Sequence, residues 1–134
     1  MAVIIDGTTG IDTIEPTIVP AALNASGSAP VYAARAWVNF NGTGTVAIMA
    51  SGNVSSITDN GVGDSTVNFT TAMPDANYSV NVNAQRLNDK NTRGNLGAQT
   101  TYAGNKTTSI CRVLSTDSGF SAVDADMVDV NVFR

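Results

Sequence analysis

The sequence predicts an all-β chain: an antiparallel β-sandwich or jelly-roll-like domain over residues 30–134, preceded by an extended N-terminal arm over residues 1–29. Three observations predict it. β-branched and aromatic residues alternate with polar ones in short runs, and Asn, Asp and Gly punctuate those runs where hairpin turns need them. No stretch carries the apolar period of a helix of about three turns.

The arm is set apart by its punctuation. Asp6-Gly7-Thr8-Thr9-Gly10 is a turn signal, and Pro16, Pro20 and Pro30 interrupt any helix or central strand. Residues 21–29 could start a short helix, but Ser26, Gly27 and Ser28 end it, and the segment reads as a linker.

The first strand is predicted over 31–40, with Tyr32, Ala34, Ala36, Val38 and Phe40 on one face and Val31, Ala33, Arg35, Trp37 and Asn39 on the other. Both faces carry apolar residues. Asn41-Gly42-Thr43-Gly44 turns the chain into a second strand over 45–50. A second hairpin runs from 53–58 through Asp59-Asn60-Gly61-Val62-Gly63-Asp64 to a return strand, where Val67 and Phe69 are read as alternating with Ser65, Asn68 and Thr70.

After Met73-Pro74-Asp75-Ala76, Tyr78, Val80, Val82 and Ala84 alternate with Ser79, Asn81 and Asn83, which predicts one buried and one wet face. Residues 87–97 read as a long exposed loop. Further strands are expected at 99–102, 107–114 and 126–133, the last with Val128, Val130 and Val132 on one face. Its place at the chain end suggests an unpaired edge, and the doubly apolar first strand suggests association. Tyr32, Trp37, Val38, Phe40, Phe69, Tyr78, Val80, Val82, Val128, Val130 and Val132 are the expected core or interface residues.

Composition narrows the function. Charged residues are 13% of the 134, about half the usual share, and the net charge is −4. The seven basic residues form no stripe, so nucleic acid is not an expected partner. There is no histidine and a single cysteine, Cys111, which removes the common zinc patterns and the usual base for a nucleophilic hydroxyl. No leader, no membrane insertion, no cofactor and no enzymatic activity are expected.

Two acidic groups invite chemistry. Residues 59–64 carry oxygen donors around glycines, as a cation loop does, but lack the spacing of a known calcium loop and read as a hairpin turn. Asp124, Asp126 and Asp129 lie on one local segment, whereas glycoside cleavage needs carboxylates across a cleft, so a solvated strand face is expected. Cys111 reads as a small buried side chain. Tyr32 and Trp37 could stack on sugars, but their apolar neighbours favour a core or interface. The candidate glycan or surface contact is therefore Tyr102 with Arg86, Lys90 and Arg93, suited to an anionic polysaccharide.

The run Ala36-Trp37-Val38-Asn39-Phe40-Asn41-Gly42-Thr43-Gly44-Thr45-Val46-Ala47-Ile48 is followed by Ser51-Gly52-Asn53-Val54-Ser55-Ser56-Ile57-Thr58-Asp59-Asn60-Gly61. Then comes Val67-Asn68-Phe69-Thr70-Thr71-Ala72-Met73-Pro74-Asp75-Ala76-Asn77-Tyr78. In order, these resemble a module of bacteriophage and prophage tail-fibre proteins, over about two fifths of the chain. The closing Asp129-Val130-Asn131-Val132-Phe133-Arg134 is similar to the terminal strand of such proteins, and Asp6-Gly7-Thr8-Thr9-Gly10-Ile11 to short segments of phage appendages. The resemblance implies a structural virion protein, a short tail fibre or fibre tip. It would dock on other virion proteins by its arm, assemble as a homo-oligomer, expected to be a trimer, and contact the host surface. The family's fibres carry a long shaft and this sequence has none, which places a capsid decoration or tail adaptor role beside the fibre reading.

Overall fold

The computed structural model describes residues 32–86, 97–99, 105–117 and 119–134, with the backbone alone for 97–99. Among them run eight strands: β1 (Ala34–Asn41), β2 (Ala47–Gly52), β3 (Val54–Gly61), β4 (Asp64–Phe69), β5 (Ser79–Gln85), β6 (Gly97–Gln99), β7 (Ile110–Thr116) and β8 (Met127–Phe133). They make two antiparallel sheets, ordered β2-β1-β8-β5 and β3-β4-β7-β6. The fold is an all-β sandwich. The N-terminal arm lies outside the described residues.

Period-two alternation builds the core. Ala36, Val38 and Phe40 of β1 and Val128, Val130 and Val132 of β8 are all buried, and Val67, Phe69, Cys111 and Val113 of the second sheet complete the same cluster. Val80 and Val82 of β5 pack against it half-buried. Tyr78, just before β5, is almost fully buried and meets Phe69 edge to face, with centroids 5.8 Å apart. Its hydroxyl is directed at the carbonyls of Ile110 (2.7 Å) and Thr107 (2.9 Å), and the Lys106 ammonium donates to the Tyr78 carbonyl at 2.6 Å. One tyrosine thus ties β5 to the turn leading into β7.

The chain passes from the first sheet to the second at Asn53, between β2 and β3. Asn53 takes a left-handed φ of 58°, which Asn tolerates better than most residues. Its amide nitrogen donates to the carbonyls of Arg35 and Thr71, each at 3.1 Å, and its amide oxygen accepts from the Thr71 N–H at 2.8 Å. The side chain satisfies backbone groups that the corner leaves without ladder partners.

Several expectations need correction. β8 is not an edge: it lies between β1 and β5, paired with both along its length. A strand buried on one face and carrying Asn and Asp on the other suits the middle of a sheet wherever it falls in the chain. Tyr32 and Trp37, expected in the core or at an interface, are 73% and 42% exposed, which removes the core half of that expectation and leaves the interface half. Alternation with Ala36, Val38 and Phe40 sends Trp37 outward, and a register shift between Ala34 and Ala36 takes Tyr32 out of the inward line.

Ser65 does not alternate with Val67 and Phe69 but shares their inward face and is buried. Asp59, Asn60 and Gly61 belong to β3, which leaves only residues 62–63 to turn. The strand expected at 99–102 is Gly97–Gln99 in the described part, and the one expected at 107–114 is Ile110–Thr116. Residues 87–96, which make up nearly all of the predicted loop, lie outside the described residues.

Cys111 is fully buried, and that burial pushes its thiol up to about 12. Since the thiolate is the reactive form, the native protein is expected to resist a disulfide reagent at pH 8 and to react fully once unfolded in guanidinium. Rapid stoichiometric labelling of the native protein would contradict this packing.

Candidate binding face

Most of the residues singled out from sequence prove to be structural or lie outside the described residues. Arg86, just after β5, donates from Nε to the Asp124 carbonyl at 3.1 Å, so it braces the segment before β8. Lys90, Arg93 and Tyr102 lie outside the described residues.

The polar side chains of 59–64 are engaged in hydrogen bonds within the protein. Asp59 Oδ1 accepts from the Gly61 N–H at 2.9 Å, and the Asn60 amide donates to Thr66 Oγ1 at 2.8 Å. Asp64 is forked on Arg112, whose Nε donates to Oδ1 at 2.7 Å while Nη2 bonds Oδ2. Among the described residues no group of three His, Cys, Asp or Glu could hold a metal ion. Asp124 accepts from the Gly63 N–H at 2.7 Å, whereas Asp129 faces outward to Asn39, so these two carboxylates serve different places.

The Arg112 hydrogen bond holds the Asp64 carboxyl below its ordinary value of 3.8, against the opposing effect of burial. A depressed folded-state value means that the pair's contribution is complete above pH 3.8 and is lost as the pH falls through the folded value. Asp64→Asn is therefore expected to be less stable than the parent at pH 7, with the two converging in urea titrations run at successively lower pH below 3.8. A gap that stays constant with pH would assign the pair no role in acid stability.

The structure instead draws attention to the outer face of the first sheet. Register places Gly52, Trp37, Asn131 and Asn81 in one row across β2, β1, β8 and β5, and Ala50, Asn39, Asp129 and Asn83 in the next. The Trp37 indole lies over Gly52, where an added Cβ would come within 2.4 Å of Nε1. Asn39 donates to Asp129 Oδ1 at 2.5 Å.

At one end of the face, Ala34, Phe133 and Ser79 share a row. There Tyr32, Asn77, Ser79, Phe133 and Arg134 line an open cleft of about 430 Å³. Arg134 is forked on Asp75, with Nε to Oδ1 at 3.0 Å and Nη2 to Oδ2 at 2.5 Å, and its carbonyl accepts from Arg35 Nε at 2.8 Å. The Arg134 hydrogen bond also lowers the Asp75 carboxyl below its ordinary value.

Asn77, Asn81, Asn83, Asn131, Phe133 and Arg134 escape a reading of the sequence as candidate contacts. Strand alternation marks the outward Asn side chains as wet, but only the pairing of β1, β8 and β5 brings them into rows with Trp37.

These features define the class: an antiparallel β-sandwich whose first sheet presents an aromatic and amide-bearing outer face. No protein-family model, curated protein or solved structure matches the chain.

Proposed function

We propose that the chain is a structural protein of a bacteriophage particle, a short tail fibre or fibre tip, held to other virion proteins by residues 1–29 and assembled as a homo-oligomer, with a trimer as the expected form. The observation that carries the reading is the apolar edge of the sandwich. β2 is an edge strand whose residues Ala47, Ile48, Met49, Ala50 and Ser51 are all exposed, Met49 by 60%. It has no charged residue, though charge is a common device for keeping an edge from pairing. Val62 and Phe120 add exposed apolar side chains at turns. Surface of this kind is the material of subunit contacts. The resemblance of residues 30–83 to tail-fibre modules supplies the phage. A capsid decoration or tail adaptor makes the same use of such a surface.

The test is assembly. A variant lacking residues 1–29 is expected to keep the β circular dichroism of the parent and to be missing from purified particles, which mass spectrometry of the particles reads directly. A truncated chain that still joins the particle would overturn the docking role of the arm. Light scattering on the purified full chain should give three copies, and a monomer at high concentration would remove the oligomer from the proposal.

A further inference from the structure

We propose that the outer face of the β2-β1-β8-β5 sheet binds a neutral oligosaccharide. This goes beyond the assembly role proposed above and rests on the chemistry of the face itself, on β1, β8 and β5 beside the β2 edge.

A sugar chain offers two kinds of surface: apolar C–H faces, which pack on aromatic rings, and hydroxyls, which both donate and accept hydrogen bonds. The face supplies both. Trp37 rests its indole on Gly52 and is 42% exposed to solvent, and Tyr32 and Phe133 line the cleft at the end of the same sheet. Asn81 and Asn83 are exposed and Asn131 is half-buried, and their side chains make no hydrogen bond to another described residue. Each of these amides can give to one hydroxyl and take from another. Neighbouring strands put them about 5 Å apart across the sheet, and alternate residues about 7 Å apart along it, on the scale of consecutive sugar rings.

Charge selects the class of sugar. Asp129 accepts from the neutral Asn39 amide and keeps its negative charge, whereas Arg134 is forked on Asp75, and Arg35, exposed at the cleft end, donates from Nε to the Arg134 carbonyl. The rows through Trp37 and Asn39 carry no cation. An acidic polysaccharide or a phosphate backbone would meet Asp129 there without a cluster of basic groups to repay its desolvation. A neutral chain needs only stacking and amides.

Trp37 is the only tryptophan in the chain, so its emission reports on the face without a label. The purified full chain would be titrated with neutral hexasaccharides of α-linked glucose, β-linked glucose, mannose and N-acetylglucosamine, with hexagalacturonate as the charged comparator. A saturable Trp37 response to at least one neutral hexasaccharide is expected. Tyr32→Ala and the pair Asn81→Ala, Asn83→Ala should each weaken it about tenfold. All three positions are exposed, so circular dichroism should stay unchanged.

The proposal is overturned if no neutral hexasaccharide gives a saturable response, if hexagalacturonate alone does, or if the substitutions leave binding unchanged. A Trp37 shift that follows protein concentration without sugar would assign the face to contact between copies and overturn it equally. Absence of the chain from phage particles would sink the virion reading and leave this titration untouched.

Discussion

Gly63→Ala is expected to cost the domain about 3 kcal/mol and to lower its thermal midpoint by roughly 15 °C. Gly63 sits in the two-residue turn between β3 and β4 with φ +67°, a region that side chains other than Asn and Asp enter at a cost of about 1–2 kcal/mol. The larger effect is space. A Cβ at this position would lie 2.6 Å from the Ser115 carbonyl oxygen and from the Val123 backbone nitrogen, and 2.8 Å from the Val123 oxygen. All three are main-chain atoms and cannot rotate away.

They are also bonded to one another and to the turn. Ser115 N–H donates to the Gly63 carbonyl at 2.8 Å, Val123 N–H donates to the Ser115 carbonyl at 3.0 Å, and Gly63 N–H donates to Asp124. A methyl group there would part the first hairpin of the second sheet from the end of β7 and from the segment that leads into β8. Gly44 is the control: its φ is +63°, but nothing lies within 4 Å of its added Cβ, so Gly44→Ala should cost only about 1 kcal/mol. Urea unfolding of the two variants measures the difference. Equal losses would show that the backbone at 115 and 123 yields.

Phe40→Ala should be as damaging or more so, at about 3–5 kcal/mol. Phe40 has no exposed surface and, with Tyr78, is among the largest fully buried side chains of a core otherwise made mostly of Val and Ala. Small neighbours held by two sheets cannot collapse into the space a phenyl ring leaves, so the cavity term adds to the lost transfer energy. Against a typical total of about 5–15 kcal/mol, the variant should be partly unfolded at modest urea. Tyr32→Ala, an aromatic removed from the exposed end of the same strand line, should stay within about 0.5 kcal/mol of the parent. A small loss at Phe40 would mean that the two sheets do not close on β1 as described.

The elements were legible because the polar alternation is nearly unbroken. Val128, Val130 and Val132 announce their face, as do Val80, Val82 and Ala84, and Asn41 to Gly44 announces its turn. What alternation does not carry is which strands lie side by side. Nothing local in Met127–Phe133 states that it will be flanked by β1 on one side and β5 on the other. The edges of that sheet are instead β5 and β2, and the exposed Ile48 and Met49 of β2 look from sequence like core residues.

The same gap hid the candidate face. Trp37 stands between Ala36 and Val38, and its neighbours suggested burial, but the one-residue step that buries them turns it outward. The Asn residues of β5 and β8 are unremarkable until register sets them in rows. The basic residues around the 87–97 loop were the more visible candidates because charge is read directly from the sequence, whereas cross-strand neighbours are not.

The central claim, that this sandwich is a component of a phage particle, is tested most directly by antibody-gold electron microscopy of purified particles. The antibody should be raised against residues 32–134. Gold at one fixed place on intact particles, at the tail tip for a fibre, is the expected result. Particles that carry no gold, with the protein recovered only from the soluble lysate, would contradict it.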